Sequence, residues 1–344
     1  MPENDGVIVH KSDKCDDGYR LYSSRMTETA HLIEPDGTEV HQWTYDQGFT
    51  WHYAEMLPNG HLLAIIKEVE NSVPGMAIEL DWDSHLVWHA DVAAHHDLAR
   101  LANGNTLIVC REYIENKKIR EGTIKSDSIL EVNPAGQVTW EWHLDEHVDE
   151  IADLVPVTLP SEPYDWAHTN TVESLPSSFT GEKDERFRAG NLLISPRNLD
   201  SIAVVDRDSE RIIWAWGPGE LEKQHMPTML ENGNILIFDN GTDREATRII
   251  ELDPLAEEIV WQYSASPPSD FYSPTRGANE RLPNGNTFIT DSDSGRLFEV
   301  TPAGEIVWEF LNPDRTEKGR RMPLYRALRY EPALVMPLLN HQRS

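Results

Sequence analysis

Residues 223–241 read KQHMPTMLENGNILIFDNG, with His225 seven positions ahead of the Asn232-Gly233 pair and an apolar run after it. The arrangement recurs. WHYAEMLPNGHLLAI (51–65) sets His52 seven before Asn59-Gly60, and AHHDLARLANGNTLIV (94–109) sets His96 seven before Asn103-Gly104. RGANERLPNGNTFIT (276–290) keeps the turn at Asn284-Gly285 but carries Gly277 in the histidine slot. Asn-Gly between β-type runs is a strong hairpin signal, because both residues tolerate the positive φ of a tight turn. Recurrence along the chain marks a repeat architecture.

A second pattern alternates with the first. HLIEPDGTEVHQW (31–43), AIELDWDSHLVWH (77–89), ILEVNPAGQVTWEW (129–142), IAVVDRDSERIIWAW (202–216), IIELDPLAEEIVWQY (249–263) and LFEVTPAGEIVWEF (297–310) share one grammar. Each is an apolar run, a turn of Pro, Asp or Gly, and a second run ending at Trp43, Trp88, Trp142, Trp216, Trp261 or Phe310. The two patterns together predict four short strands per unit, the grammar of a propeller blade. Long helical periodicity is absent, and the recurrent Trp reads as packing between blades.

The sequence therefore predicts an all-β, six-bladed propeller of four-stranded blades, one domain over 1–344 with an N-terminal extension at 1–17. The blades fall at about 50–92, 94–145, 165–217, 224–264 and 276–311, with a sixth made of 324–338 and 18–45. Residues 18–43 can supply its last two strands, and PLYRALRYEPALVMPL (323–338) its first two. Joining them closes the ring and removes exposed sheet edges.

The chain carries 30 Lys plus Arg against 59 Asp plus Glu, a formal charge of −29. This argues against nucleic acid and anionic membranes as partners, since both require a basic surface. Two cysteines, Cys15 and Cys110, make no disulfide framework and read as free thiols. The acidic start MPENDGVIVHKSDKCDDGYR has no leader pattern, and no apolar run is long enough to span a bilayer, so a cytoplasmic location is expected. Oligomeric state is left open by the sequence.

In a propeller the first strand of each blade lines the central channel. The slot seven before the turn thus predicts His52, His96, His168 and His225 around that channel, with Gly277 beside Arg276 in the fifth blade and a position near Arg326 in the sixth. Eight residues past each turn Asn stand Lys67, Arg111, Asn240 and Ser292, and Arg197 takes the matching place in the third blade. Cations and neutral donors at one level of an acidic chain suit a tetrahedral oxyanion or carboxylate, which guanidinium binds in paired hydrogen bonds. Polar side chains merely lining a wet channel are the plainer reading. Tyr272, Arg276 and Glu280 near the fifth inner strand, and Trp166 before His168, are candidates to shape an aromatic pocket.

Three segments carry a family resemblance: DWAHTNTVESLP (165–176), GNLLISPRNLDSIAVVDRDSERIIWAWG (190–217) and QHMPTMLENGNILIFDNG (224–241). They resemble the bacterial arylsulfate sulfotransferases, six-bladed propellers that move sulfate between phenols without a nucleotide donor, and the likeness extends from about 51 to 330. It implies a transient sulfohistidine at His225, sulfate-binding roles for His96, His168 and Arg197, and a small aromatic or anionic substrate. From the channel slots, the strand ends and the residues near them, His52, Arg111, Asn170, Asn240, Arg276, Arg326 and Tyr272 are candidates to contact substrate, and no cofactor is expected. Two departures stand out: the exported relatives' leader and N-terminal β-domain have no counterpart, and Met226 follows His225 where the family has an acid. Two other readings remain. One is a lyase, hydrolase or oxygenase with a divalent transition metal on His52, His96, His168 and His225. The other is a non-catalytic propeller binding anions or proteins.

Overall fold

The computed structural model describes residues 5–47, 49–68 and 75–341. The stretch 69–74 of the expected first blade lies outside the described residues. The chain is an all-β propeller of antiparallel sheets, with two compact units.

The first unit comprises residues up to 73, 77–89 and 271–344. In one of its sheets Leu324–Tyr330 pairs with Tyr19–Ser24, followed by Thr29–Ile33 and Glu39–Thr44. The chain ends thus meet in one sheet, but their shares differ from expectation. The C-terminal segment gives one strand instead of two, and Pro332–His341 is an α-helix. Proline at the first helical position has its fixed φ ready for the turn, and its missing N–H is not needed there. A second sheet runs Ala278–Arg281, Thr287–Asp291, Arg296–Val300, Ile306–Leu311, and gains a fifth strand, Gly6–His10, on its outer edge. The segment expected as an extension therefore covers a sheet edge.

The second unit comprises 74–76 and 90–270. It holds two complete four-stranded meanders. One is Thr169–Ser174, Leu192–Pro196, Ile202–Val205 and Ile212–Trp216; the other is His225–Met229, Ile235–Asp239, Arg248–Asp253 and Glu258–Ser264. The strand Leu86–Arg100 is 15 residues long and continuous, so hydrogen bonding joins Phe49–Met56 through Val138–His143 into one seven-stranded sheet. Among the described residues the sheets number five, of five, seven, four, four and four strands, where six of four were expected.

Within each unit the strand-end aromatics pack sheet against sheet, as expected. Trp214 and Trp216 lie in a core with Met229, Ile235, Ile237 and Ile250. Trp308 and Phe310 pack with Tyr22, Ile33 and Leu324, and Trp308 Nε1 donates to Pro35 O at 2.6 Å. Trp142 donates to Glu210 O at 2.7 Å. Such an acceptor offsets the cost of burying an indole N–H.

Three carboxyls lie in these interiors without full ion pairing. Burial pushes Glu173 up to about 8, reinforced by Asp97. Burial pushes Glu280 up to about 7 and Asp291 up to about 6. Each holds its proton more tightly folded than unfolded, so its contribution to stability is fullest below the ordinary carboxyl range and is lost as pH rises through 6 to 8. The melting temperature should fall over pH 5 to 8.5. Glu173→Gln keeps an acceptor and cannot ionise, so its profile should be flatter and should exceed wild type by a few degrees at pH 8.5. Parallel thermal-denaturation profiles for the two proteins would refute this.

Candidate functional site

Cross-strand pairing gives every sheet a common frame. Thr228 pairs with Leu236, Ala99 with Leu107, Glu173 with Leu193, Glu55 with Leu63, Glu280 with Phe288 and Leu328 with Leu21. Three residues before these first-strand members stand His225, His96, Asn170, His52, Gly277 and Tyr325. In the third sheet the register slot therefore belongs to Asn170, and His168 lies two residues ahead of it. In the last it belongs to Tyr325, one residue before Arg326. Four residues past the second-strand members stand Asn240, Arg111, Arg197, Lys67 and Ser292, as expected, and also Arg25. Arg25 escaped the sequence reading because Asp17-Gly18 replaces the Asn-Gly signal.

The slot coincides with a break in the ladder. Register shifts fall between Trp51 and Tyr53, Ala94 and Leu98, Thr169 and Val172, and His225 and Thr228. His96, His168 and Met226 adopt φ of 63°, 54° and 43°, a region that costs most side chains energy. Such bulges re-aim side chains near functional sites. This explains why a fixed spacing need not place equivalent side chains equivalently.

In the second unit the bulges assemble an imidazole cluster. His168 Nε2 lies 3.2 Å from His96 Nε2, and His168 Nδ1 lies 2.7 Å from Asp165 Oδ2. Lys125 also binds Asp165, and together with His168 it holds that carboxyl well below the usual range against the cost of burial. On its other side His96 Nδ1 bonds to His95 Nδ1, and His95 Nε2 faces Asp127 Oδ1 at 3.1 Å. Asp127 Oδ2 accepts the Thr169 N–H at 2.6 Å. Burial lowers the His95 pKa, and Asp127 opposes that shift. Arg111 stands opposite Asp127 in the strand register. His95, Asp127, Lys125 and Asp165 were missed in the sequence: none repeats at a fixed spacing, and their partners come from other strands.

His225 is buried, and two oxygens lie against its Nδ1. Asn240 Oδ1 is 2.8 Å away and the Lys223 carbonyl 3.1 Å. A carbonyl can only accept, so Nδ1 carries the proton and Nε2 the lone pair. Asn240 is thus a positioning partner of His225. Asn170 is fully buried, and its amide donates to Gln224 O at 2.8 Å, fixing the backbone just ahead of His225. Arg197 begins a tight turn, half-buried, and bonds to Asn198 Oδ1 at 2.8 Å. Asn198 in turn donates to Asp165 O at 2.6 Å, which ties the arginine's turn to the segment that carries His168.

Among the first-unit candidates, Arg276 and Tyr325 both lie close enough to Arg25 to act on its charge. His52 meets the Tyr325 ring edge-on at 4.7 Å, and the Arg326 guanidinium lies 5.1 Å from the Tyr53 ring and 5.2 Å from that of Tyr325. Arg276 pairs with Asp293 at 2.8 Å, and Glu280 accepts the Arg329 N–H at 3.1 Å. Tyr272 is half-buried in the loop ahead of Ala278. Trp166 belongs to the apolar core of the second unit, bonding to Ser126 Oγ at 3.2 Å, so it packs and does not line a pocket. Among the described residues no three His, Cys, Asp or Glu side chains are disposed to hold one metal ion. No helix among them is long and apolar enough to cross a membrane.

The fold and site define an all-β propeller with a buried imidazole cluster on its inner strands. Residues 53–313 match the family described as Arylsulfotransferase (ASST), and the chain belongs to that family. None of the curated proteins matches. Among solved structures it is similar to a protein of unknown function from Bacteroides caccae, with 15% identity, TM-score 0.56, and 86% of this chain and 94% of that one covered. It is also similar to a streptogramin B lyase, with 10% identity, TM-score 0.52, and coverages of 96% and 95%. These likenesses reflect the fold.

The tautomer of His225 is directly measurable. Ring 15N shifts at pH 8 should show the Nδ1–H form favoured by about tenfold, given roughly 1 kcal/mol net per bond. Asn240→Leu should erode that preference, because only the Lys223 carbonyl remains. A dominant Nε2–H form in the unaltered protein would overturn the assignment.

Proposed function

We propose that the protein transfers a sulfuryl group from a phenolic sulfate to an acceptor hydroxyl through a transient sulfohistidine on His225. The observation that carries this reading is the pair of oxygen acceptors on His225 Nδ1, which leaves Nε2 as the nucleophilic nitrogen. Family membership supplies the reaction class. The Nε2 lone pair forms the N–S bond while the S–O bond to the aryl oxygen breaks, its electrons leaving with the phenolate. In the second half-reaction the acceptor oxygen forms its S–O bond as the N–S bond breaks and the electron pair returns to Nε2. The proton that the acceptor hydroxyl gives up to solvent balances the one the departed phenolate takes from it.

Charge on the transferring group is stabilised by His96, His168 and Arg197, each on an element tied to the others by hydrogen bonds. Asp165 keeps His168 oriented, and Lys125 keeps Asp165 ionised. The reaction draws on side chains alone, with no cofactor. The same reading counts six blades, taking the continuous Leu86–Arg100 strand as the join of two. The substrate is a small aromatic sulfate.

Incubation with a chromogenic aryl sulfate and a phenol acceptor should give ping-pong kinetics, and mass spectrometry of the quenched enzyme should find sulfate on His225. His225→Ala should lower kcat on the order of 10³-fold or more, since removal of a nucleophile removes the covalent route. Unchanged turnover in His225→Ala would eliminate the mechanism.

A further inference from the structure

The turn that follows Tyr19–Ser24 carries a guanidinium whose backbone the first unit fixes on every side. Ser24 pairs with Leu324, and Arg25 N donates to Pro323 O at 2.9 Å. Thr27 Oγ1 donates to Ser24 O at 2.8 Å across Met26, whose φ is 66°, so Arg25 sits in a closed turn. Ser24 Oγ donates to Asp314 Oδ2 at 2.6 Å and accepts from Asn312 Nδ2 at 2.8 Å. On the other flank of the same strand, Leu324 N donates to Ser292 O at 3.0 Å and Ser292 Oγ donates to Tyr325 O at 2.7 Å. Asp293 comes next in the chain and holds Arg276. The start of Leu324–Tyr330 therefore lies between the turn of Arg25 and the segment that holds Arg276.

The charges in this corner do not cancel. Asp293 is the carboxylate that acts on Arg25 among the described residues, and it is already engaged. Its Oδ1 accepts from Arg276 and from Thr275 Oγ1 at 2.8 Å each, and its Oδ2 accepts the Thr275 N–H at 3.0 Å. The Arg25 side chain is half-buried and makes no hydrogen bond or ion pair among the described residues. Burial, and after it Arg276, push the Arg25 pKa down, while Tyr325 and Asp293 act the other way. Two guanidiniums against one carboxylate leave a positive charge in a partly desolvated place, which is costly until an anion meets it. The chain carries 59 Asp and Glu, so the missing countercharge does not reflect a shortage of carboxylates.

We propose that Arg25, with Arg276 beside it, is the cationic side of an oxyanion site in the first unit, which takes the carboxylate or sulfate of a small molecule. A planar guanidinium matches either group through two parallel N–H donors. The adjoining wall is rigid: Tyr325 is buried, meets His52 edge-on at 4.7 Å and has the Arg326 guanidinium 5.2 Å from its ring. A closed turn and fixed neighbours reduce the ordering cost of binding. The site stands on the first unit alone and does not depend on sulfuryl transfer.

The test uses the full chain with 13C,15N-labelled arginine. The Nε–H signals of Arg25 and Arg276 are assigned by their loss in Arg25→Gln and Arg276→Gln. They are followed through separate titrations with sodium sulfate and sodium benzoate, at constant ionic strength set with chloride. At least one anion should move both signals saturably; sulfate alone marks a sulfate site, and benzoate alone a carboxylate site. The Kd read from Arg276 should rise about tenfold in Arg25→Gln and about threefold in Arg25→Lys, which keeps the charge and loses the fork. Sulfate bound in the second unit is told apart by the Arg197 signal, assigned with Arg197→Gln. An Arg25 signal that neither anion moves, or that chloride moves equally, would overturn the proposal, as would an unaltered Kd in Arg25→Gln. If Arg25→Gln fails to fold by circular dichroism, Arg25→Lys supplies both the assignment and the comparison of affinities. If the protein transfers no sulfate, the function above fails while these titrations still decide the site.

Discussion

The structure depends on how its inner strands satisfy the backbone N–H groups that the bulges release. A buried N–H without an acceptor is costly, so each bulge needs an oxygen from a neighbouring strand. In the second unit Asp97 Oδ2 accepts from Val172 N at 2.9 Å, Thr171 Oγ1 from Met226 N at 3.1 Å, and Glu173 Oε2 from Met229 N at 2.9 Å. The first unit repeats the device with Glu280 on Arg329 N and Thr290 on Ala327 N. These clamps hold consecutive inner strands at a set offset. His96, Asn170 and His225 sit one to three residues from a clamp, so the geometry of the site follows from the backbone accounting of the fold.

That accounting also sets the electrostatics. The chain is strongly acidic, yet the buried imidazole string ends in two carboxylates and has cations at both ends, Arg111 by Asp127 and Lys125 on Asp165. The carboxylates orient the rings, and His168 and Lys125 together hold Asp165 ionised against the cost of its burial. Local charge is therefore decided by contacts of a few ångströms, and the net charge of the whole chain has little bearing on it. His225, by contrast, has neutral oxygens against its Nδ1.

Strands, turns and aromatic packing were legible in the sequence because each depends on local periodicity: alternation for strands, Asn-Gly for turns, Trp at strand ends. The histidine slot was legible for the same reason at His52, His96 and His225. It failed at His168, where a long insertion hides the register, and the paired strands give the slot to Asn170 instead. Arg25 was hidden by an Asp-Gly turn, and Pro332–His341 by an apolar run too short to separate helix from strand. The strand Gly6–His10 pairs only through a partner some 300 residues away in sequence. His95, Asp127, Lys125 and Asp165 act through contacts between elements, which no spacing rule reports.

Met226, where the family has an acid, looks at first like a lost catalytic group. The parallel position after His96 argues otherwise. Asp97 holds the Val172 N–H with its carboxylate, a structural duty on the neighbouring strand. An acid after an inner-strand histidine is on this evidence a clamp. Replacing it with Met226 removes a clamp and leaves intact the two bonds that set the His225 tautomer, Lys223 O from its own strand approach and Asn240 from the strand beside it. The departure changes how the strand is held, and the proton on His225 Nδ1 stays where the proposed sulfuryl transfer needs it.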